Sequence, residues 1–380
     1  MTLTAVPRPE VRAYLDHATT SPLRPEVIEA LSELLALPQA DPGRPYREAL
    51  VSRELIEDAR SSVAQLVAVT PRQVIFTSSI AESVNTAIAG LADGGGVLAP
   101  ATERKSVVDA AAQHGGLATV AVTDAGTVDL DLLDARLASG AATMLAISLA
   151  NHETGVLDDV ERLIASARAH SVLVHLDASS AVGHESVDLG ALDPDAATIS
   201  AELIGGPLGT SALIVRKGRP FDALVVGGSQ ERGRRAGLEN LLGIVGFGIA
   251  SAVLTADCRT DEAAAALRHR KRLEAAALEV EGVAVVGQSS SRAPHLSCLT
   301  VAGVEAEPIL LGLDREGIAV HSGSACASEA LEPSPVLAAM GLDAARSLRL
   351  SVGWSTTDQE VDLFIDRFGP VVERLRALRA

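Results

Sequence analysis

Short apolar runs alternate with amphipathic patterns between about residue 70 and residue 215. The apolar runs have the length of buried strands, and the patterns between them have the period of roughly 3.6 residues that is typical of helices. This alternation predicts an α/β fold with a mainly parallel sheet and helices on both of its faces. The expected strands lie at residues 74–78, 96–100, 117–123, 143–151, 172–177, 195–201 and 211–217.

The chain after residue 255 has a different pattern. A long, charged and Ala-rich helix is expected at 261–281, and a closing helix is expected at 358–378. Mixed strands and helices lie between them, which indicates a smaller α+β unit. We therefore predict a large domain at 14–255 and a small domain made of 1–13 and 256–380.

Composition and charge restrict the classes of function. Hydrophobic residues make up 47% of the chain and charged residues 21%, which is typical of a globular protein. The net charge of −17 repels a phosphate backbone, so no nucleic-acid partner is expected. The apolar stretch at 241–254 is shorter than the roughly 18 to 20 residues of a membrane span, and it predicts a buried helix rather than a membrane contact.

The three cysteines, Cys258, Cys298 and Cys326, are too few and too scattered for a disulfide framework. Together with an N-terminal stretch that lacks the pattern of a signal peptide, they favour a reducing cytoplasm. The cysteines and histidines show no recognisable metal-ligand spacing, so no metal is expected.

Polar residues follow several of the predicted strands, at the edge where ligands bind in open α/β sheets. Asp177 either orients the ring nitrogen of a ligand or caps its own loop. Ser79 begins a helix, so it is either a helix N-cap or part of an anion site. The cluster RGRR at 232–235 forms either salt bridges or an anion site. Cys326 lies in a loop rich in Gly, Ser and Ala, where a thiol is either a small buried hydrophobe or a nucleophile.

Four segments together resemble the cysteine desulfurases, which form part of the class V branch of the pyridoxal phosphate (PLP) enzymes. They are YLDHATTSPLRPEV, GGSQERGRRAGLENLLGIVGFG, GSACASEALEPSPVLAAMG and SLRLSVGWSTTDQEVD, and they occur in the order found in that family. The resemblance implies PLP fold type I. It also implies a mechanism in which a lysine holds PLP as a Schiff base and a loop cysteine takes the sulfur as a persulfide.

The resemblance assigns roles by position. It implies that Cys326 accepts the sulfur, that Arg349 binds the substrate carboxylate and that Asp177 pairs with the pyridinium nitrogen. Asn151 would flank the cofactor, and Ser200 would lie near its phosphate.

Six departures from the family pattern fall in the implied cofactor pocket. The Schiff-base lysine is replaced by Leu203, and the other changes affect the phosphate, the ring or the partner subunit's site. They are Glu202 for a histidine, Ser79–Glu82 for a Gly-Ala-Thr-Glu loop, Arg104 for a ring-stacking histidine, Ser180 for a glutamine and Leu238 for a threonine. The chain has only three lysines, Lys105, Lys217 and Lys271, and none is an evident replacement. Covalent PLP is therefore not expected.

Two classes of function remain open, so whether the chain is an enzyme is left undecided. One is a homodimer without PLP catalysis that presents sulfur through Cys326 to an acceptor or an iron–sulfur scaffold protein. The other is an enzyme acting on cysteine or a related amino acid, with non-covalent PLP or a refitted pocket in which Glu202 and Arg104 act together. A non-catalytic salt bridge between Glu202 and Arg104 is the favoured interpretation of that pair. Half of an active heterodimer ranks below the homodimer, because Leu238 would weaken a partner's phosphate site.

Overall fold

The computed structural model describes residues 12–323 and 333–378. The strands are β1 (Ala13–Tyr14), β2 (Val74–Thr77), β3 (Val97–Pro100), β4 (Leu117–Val120), β5 (Met144–Ser148), β6 (Leu173–Asp177), β7 (Ala196–Ser200), β8 (Ser211–Val215), β9 (Val283–Val285), β10 (Leu296–Val301), β11 (Ile318–Ala319) and β12 (Ser347–Ser351). The helices are α1 (Pro25–Leu35), α2 (Arg47–Leu66), α3 (Ile80–Leu91), α4 (Lys105–His114), α5 (Leu130–Ala138), α6 (Val160–Ala169), α7 (Leu189–Leu192), α8 (Gln230–Gly233), α9 (Leu241–Val253), α10 (Ala256–Leu278), α11 (Ala306–Arg315), α12 (Pro335–Ala339) and α13 (Asp358–Ala377).

A seven-stranded sheet forms the centre of the larger part of the chain. Its strand order is β2-β8-β7-β6-β5-β3-β4. The five strands from β7 to β4 are parallel to one another, whereas β8 is antiparallel to both β7 and β2. The predicted mainly parallel sheet is confirmed, and the direction of β8 is the feature that the hydrophobic pattern did not predict.

The two faces of this sheet bury alternate residues of the same strands. On one face, Val174, Leu176 and their equivalents pack in a core that also contains residues of α2, α6 and α9. On the other face, Met144, Ala146 and their equivalents pack against α3 and α4. Because side chains alternate along a strand, a sheet covered on both faces needs strands that are apolar throughout.

Helix α9 is apolar on nearly every side and is mostly buried, as predicted for residues 241–254. Among the residues that the structure describes, no single helix is both long and apolar enough to cross a membrane. Helices α9 and α10 meet that criterion only as a pair, and the chain bends by 83° between them.

The C-terminal part has its own sheet and core. Strands β12, β10 and β9 form a three-stranded antiparallel sheet, and α11 and α13 bury their apolar faces in the same core. Strand β1 pairs in parallel with β11, and Ala13 and Leu15 are buried in this core. The start of the described chain thus packs with the C-terminal part, while the proposed domain limits stay a prediction.

The topology brings several strand ends to one edge of the large sheet. Ser148 lies opposite Asp177 in the register of β5 and β6, and Asp177 lies opposite Thr198 in the register of β6 and β7. The connection from β7 to β8 leaves the sheet at this same edge. Residues that follow β3, β5, β6 and β7 therefore lie near one another, as expected for a site in an open α/β sheet.

Candidate cofactor-pocket site

Asp177 ends β6 and is 2% exposed. Its Oδ1 accepts hydrogen bonds from the Ser179 backbone N–H at 2.9 Å and from the Ser179 hydroxyl at 2.5 Å. These bonds cap the loop after the strand, which was one of the two interpretations of Asp177. The other oxygen, Oδ2, lies 2.8 Å from Nε of Arg104. The N–H of Arg104 is not directed at that oxygen, so the contact is an ion pair rather than an aligned hydrogen bond.

Arg104 reaches Asp177 from the loop after β3. It is the N-cap residue of α4, and its side chain is 15% exposed. Its NH2 group also lies 3.4 Å from the Ser179 hydroxyl and 3.3 Å from the Ser180 hydroxyl. The guanidinium thus covers the loop that follows β6, at the point where the resemblance implies a stacked ring.

Glu202 and Leu203 follow β7 in a tight turn. The Ile204 N–H donates to the Ala201 carbonyl, and Gly205 has a φ of +82°, which a residue without a Cβ adopts without strain. Leu203 is 8% exposed, and its side chain has no amine that could form an imine. The Ser200 hydroxyl donates a hydrogen bond to Oε2 of Glu202 and lies 2.7 Å from the Ser211 hydroxyl.

The expected salt bridge between Glu202 and Arg104 is wrong. The carboxylate beside Arg104 is that of Asp177, because Arg104 extends over the end of β6. Burial raises the pKa of Glu202, whereas the hydrogen bond from Ser200 and the nearby Arg104 charge lower it. Arg104 therefore acts on Glu202 through space and not as a contact partner.

Asn151 and Arg349 are the two residues that the resemblance assigns to substrate binding, and that assignment stays a prediction. Oδ1 of Asn151 accepts from the N–H groups of Glu153 and Thr154, and its Nδ2 donates to the Thr102 carbonyl. Asn151 is therefore a loop-ordering residue in this structure. Arg349 donates from NH1 to the His152 carbonyl at 3.0 Å, so the two predicted residues lie in adjoining segments.

The side chain of Arg349 also has partners in the N-terminal segment. Its NH2 group lies 2.9 Å from Oδ1 of Asp16 and 2.5 Å from the Thr19 hydroxyl. Its Nε is buried and has no hydrogen-bond partner within the described residues.

Three polar residues near this edge were not singled out from the sequence, namely Asp16, Glu103 and His152. Glu103 is 5% exposed and accepts a hydrogen bond from the Ser148 hydroxyl at 2.8 Å. Burial raises the pKa of Glu103 to about 7. Burial and the charges of Arg104 and Arg349 lower the pKa of His152 well below its usual range. The only sequence signal for the last two was their position beside Arg104 and Asn151.

Ser79 is the N-cap of α3, where its hydroxyl accepts from the Glu82 N–H at 3.1 Å. The Glu82 carboxylate accepts from the Ser78 N–H at 2.7 Å and pairs with Arg235 at 2.9 Å. The capping interpretation of Ser79 therefore applies. The Glu82 carboxylate, which belongs to α3 itself, thus already accepts the Ser78 N–H just before the start of the helix.

The arginine cluster at 232–235 forms contacts within the chain. Arg235 pairs with Glu82, Arg232 pairs with Glu57 at 3.1 Å, and Arg234 donates to the Val74 carbonyl at 3.2 Å. These contacts match the salt-bridge interpretation of the cluster.

The three lysines lie apart from Leu203. Lys105 pairs with Asp109 along the outside of α4, and Lys271 is exposed on α10. Lys217 follows β8, and the register of β7 and β8 puts it at the opposite edge of the sheet from Ser200. Cys326, the predicted sulfur-accepting residue, lies outside the described residues.

Comparison with known proteins identifies the class. The chain has the α/β architecture of PLP fold type I, with a mostly parallel central sheet, and the Aminotransferase class-V family model matches residues 13–364. The chain therefore belongs to the class V aminotransferase family.

The chain is similar to proteins named as cysteine desulfurases. It is 33% identical over 377 residues to "Cysteine desulfurase IscS 1" of Archaeoglobus fulgidus, and the aligned region covers 96% of this chain and 98% of that relative. It is 34% identical over 384 residues to "Cysteine desulfurase IscS" of Dictyoglomus turgidum, with 96% and 95% covered. The solved structure of a NifS-like protein from Rickettsia africae superposes with a TM-score of 0.89 at 28% identity, covering 96% of this chain and all of that chain.

Proposed function

We propose that this chain is a cysteine desulfurase-like protein that has lost PLP-dependent catalysis and handles sulfur through Cys326. The observation that carries the proposal is Leu203, a buried leucine where the family resemblance implies the lysine that holds PLP. The ion pair between Arg104 and Asp177 supports it, because the carboxylate expected to pair with a ring nitrogen already faces a cation. The residues at this edge therefore do not fit a covalently held PLP.

The sulfur step proposed for Cys326 is a transfer between thiols. The Cys326 thiolate attacks the outer sulfur of a donor protein's persulfide, the donor's S–S bond breaks, and the donor leaves as a thiolate. A new S–S bond forms on Cys326, so the step needs no external oxidant. The donor would be an active desulfurase, and an iron–sulfur scaffold or another acceptor would take the sulfur in a reducing cytoplasm.

The other two cysteines offer poor alternatives for this role. Cys298 is fully buried in the C-terminal part, and burial raises its pKa well above the usual range. Cys258 is partly exposed, but burial and the neighbouring Glu262 raise its pKa as well. A raised thiol pKa lowers the fraction of thiolate, which is the reactive species.

The loss of PLP is tested by absorption spectroscopy of the purified protein with and without added PLP. Borohydride reduction and mass spectrometry then detect any covalent adduct. We expect no visible aldimine band and no adduct. A band that borohydride converts to an adduct on Lys105 or Lys217 contradicts the proposal and makes the chain a PLP enzyme.

The role of Cys326 is tested by incubation with an active cysteine desulfurase and L-cysteine, followed by persulfide-specific labelling. We expect label on the wild-type chain and on the Cys258→Ala variant, which is the matched control. The Cys326→Ala variant is expected to lose the label. Equal labelling of both variants contradicts the proposed role.

A homodimer is also proposed, on the basis of exposed apolar residues. Leu208, Val226 and Leu238 are 70%, 79% and 65% exposed, and backbone and side-chain hydrogen bonds join the loops that carry them. Exposed apolar patches of this kind indicate an interaction surface.

Sedimentation should show a dimer for the wild type and a shift toward monomer for a Val226→Glu/Leu238→Glu variant. Leu378→Glu, at an equally exposed leucine, is the control, and a monomeric wild type contradicts the dimer.

A second candidate function is supported by the raised pKa of Glu202. Burial is the main cause, and a buried carboxyl with a raised pKa can act as a general base. On this alternative the chain is an enzyme that acts on cysteine or a related amino acid, with either non-covalent PLP or a refitted pocket. Conversion of cysteine to alanine by the purified protein, lost in a Glu202→Gln variant, would favour it over the first proposal.

A further inference from the structure

Arg104 and Glu202 contact the two polar residues, Asp177 and Ser200, that the resemblance assigns to the ring nitrogen and the phosphate of PLP. Arg104 lies 2.8 Å from the buried Oδ2 of Asp177 and near the hydroxyls of Ser179 and Ser180. Glu202 accepts the hydroxyl hydrogen of Ser200, the residue implied to lie near the phosphate. Neither contact follows from the other, because Arg104 comes from the loop after β3 and Glu202 from the turn after β7.

The signs of these two charges match those of the absent group. PLP presents a protonated ring nitrogen at one end and an anionic phosphate at the other. Arg104 offers a cation to the same aspartate, and Glu202 offers an acceptor oxygen to the same serine. A buried carboxylate without a partner is strongly unfavourable, and so is a buried hydroxyl without an acceptor. Both requirements are satisfied here by the chain itself.

We propose that Arg104 and Glu202 are built-in replacements for the two charged ends of the cofactor, so that the pocket is electrostatically complete without PLP. This inference rests on the proposed loss of PLP and adds a structural cause to it. The missing lysine then explains only the lack of an imine. Exclusion of the free cofactor follows from the two contacts, both of which PLP would have to displace.

The proposal makes Leu203→Lys insufficient by itself. A lysine at this position would carry an amine at the end of β7, yet Asp177 and Ser200 would still be engaged. Removal of both substitutes, by Arg104→His and Glu202→His, frees the aspartate and the serine. The three substitutions together should therefore restore covalent binding that neither Leu203→Lys nor the Arg104→His/Glu202→His double variant restores.

Four chains test this prediction: the wild type, Leu203→Lys, the Arg104→His/Glu202→His double variant and the triple variant. Each is titrated with pyridoxal phosphate, reduced with borohydride and analysed by mass spectrometry, and its thermal unfolding is recorded with and without the cofactor. We expect a reducible adduct at position 203 only in the triple variant. In the double variant PLP should raise the unfolding temperature without forming an adduct.

The outcomes separate this inference from the proposed function. An adduct in Leu203→Lys as extensive as in the triple variant overturns the inference and leaves the proposed loss of PLP intact. An adduct in the wild type overturns the proposed function itself. A folded triple variant that forms no adduct also overturns the inference.

A second measurement needs no cofactor and covers the case in which the triple variant does not fold. Arg104→Met should lower the unfolding temperature clearly more than Arg162→Met, an exposed control on α6. Combining Arg104→Met with Asp177→Asn should recover part of that loss, because the buried carboxylate is then removed together with its partner. Equal effects of Arg104→Met and Arg162→Met overturn the proposal.

Discussion

Glu103 illustrates how a single buried carboxyl can affect stability. Burial, opposed by the hydrogen bond from Ser148, raises its pKa from 4.5 to about 7. In the unfolded chain the group ionises above its ordinary pKa, whereas in the folded chain it keeps its proton up to about pH 7. The folded state therefore loses stability as the pH rises from about 4.5 to about 7, by up to roughly 3 kcal/mol.

We predict that a Glu103→Gln variant gains stability relative to the wild type as the pH rises through this window. The reason is that an amide does not ionise, so the variant lacks the loss described above. Urea unfolding at pH 5.5 and pH 8 measures the difference, with Glu161→Gln on the exposed face of α6 as the control. A difference between Glu103→Gln and the wild type that is independent of pH contradicts the prediction.

The contacts of individual residues differ in how far they can be predicted from the sequence. Capping was one of the two interpretations that the sequence left open for Asp177, at the end of a strand, and for Ser79, at the start of a helix. Capping could be foreseen because it depends on neighbours in the chain. The partner of Arg104 depends instead on the order of strands in the sheet. Arg104 follows β3 and Asp177 ends β6, and β5 lies between these strands, so only the topology brings the two charges together.

At the scale of the element, helix α3 depends on its first turn. The hydroxyl of Ser79 accepts from the Glu82 N–H, and the Glu82 carboxylate accepts from the Ser78 N–H. Burial raises the pKa of Glu82, but the hydrogen bonds from Arg235 and Ser78 outweigh it and lower the pKa overall. The carboxylate therefore stays charged, and a negative charge stabilises the N-terminus of a helix.

We predict that Ser79→Ala destabilises the protein by about 1 kcal/mol, because the first turn of α3 loses its cap. Ser61→Ala is the control, because Ser61 is exposed on α2 and its hydroxyl only donates back to the Glu57 carbonyl of the same helix. This control should change the free energy of unfolding by less than about 0.5 kcal/mol. Chemical denaturation of both variants measures the contrast. Equal losses would show that the cap does not support the helix.

The presence of a helix or strand was easier to predict from the sequence than the residue at which it begins or the direction in which a strand runs. The long helix predicted from residue 261 begins at Ala256, because Thr255 caps it and its first turn is polar rather than periodic. Strand β8 has the same apolar pattern that a parallel strand would have, so the pattern contains no information on its direction. Hydrogen-bond pairing with β7 and β2 determines the direction, and that pairing is a property of the folded sheet.

At the scale of the whole molecule, two stacked histidines join the large sheet to the C-terminal part. The rings of His184 and His295 are 3.7 Å apart and 10° from parallel, and both residues are buried. Burial, reinforced by the neighbouring His17 and Arg24 charges, lowers the pKa of His184 to about 3. Burial lowers the pKa of His295 well below the ordinary range as well.

We predict an acid-side loss of stability that depends on this pair. The unfolded chain binds protons at these histidines below about pH 6.5, whereas the folded chain keeps them neutral, so stability falls as the pH falls from about 6.5. A His184→Phe variant keeps a ring in the stack without titrating, and its unfolding temperature should fall less between pH 7 and pH 5.5. His170→Gln, at an exposed position, is the control. An unchanged acid-side slope in His184→Phe contradicts the prediction.

The connection between β7 and β8 has a further consequence. It spans residues 201–210, and the pairing of Ser200 with Ser211 holds its two ends together. From the N-terminal segment, the Arg24 N–H donates to the Gly205 carbonyl and the Ser21 N–H donates to the Glu202 carbonyl. The backbone of residue 203 is thus fixed independently of its side chain. A library randomised at positions 104, 202 and 203 would vary the chemistry on a constant frame, and colonies could be screened by the colour of a bound cofactor. This fixed connection makes the pocket a suitable starting point for the directed recovery of a PLP enzyme.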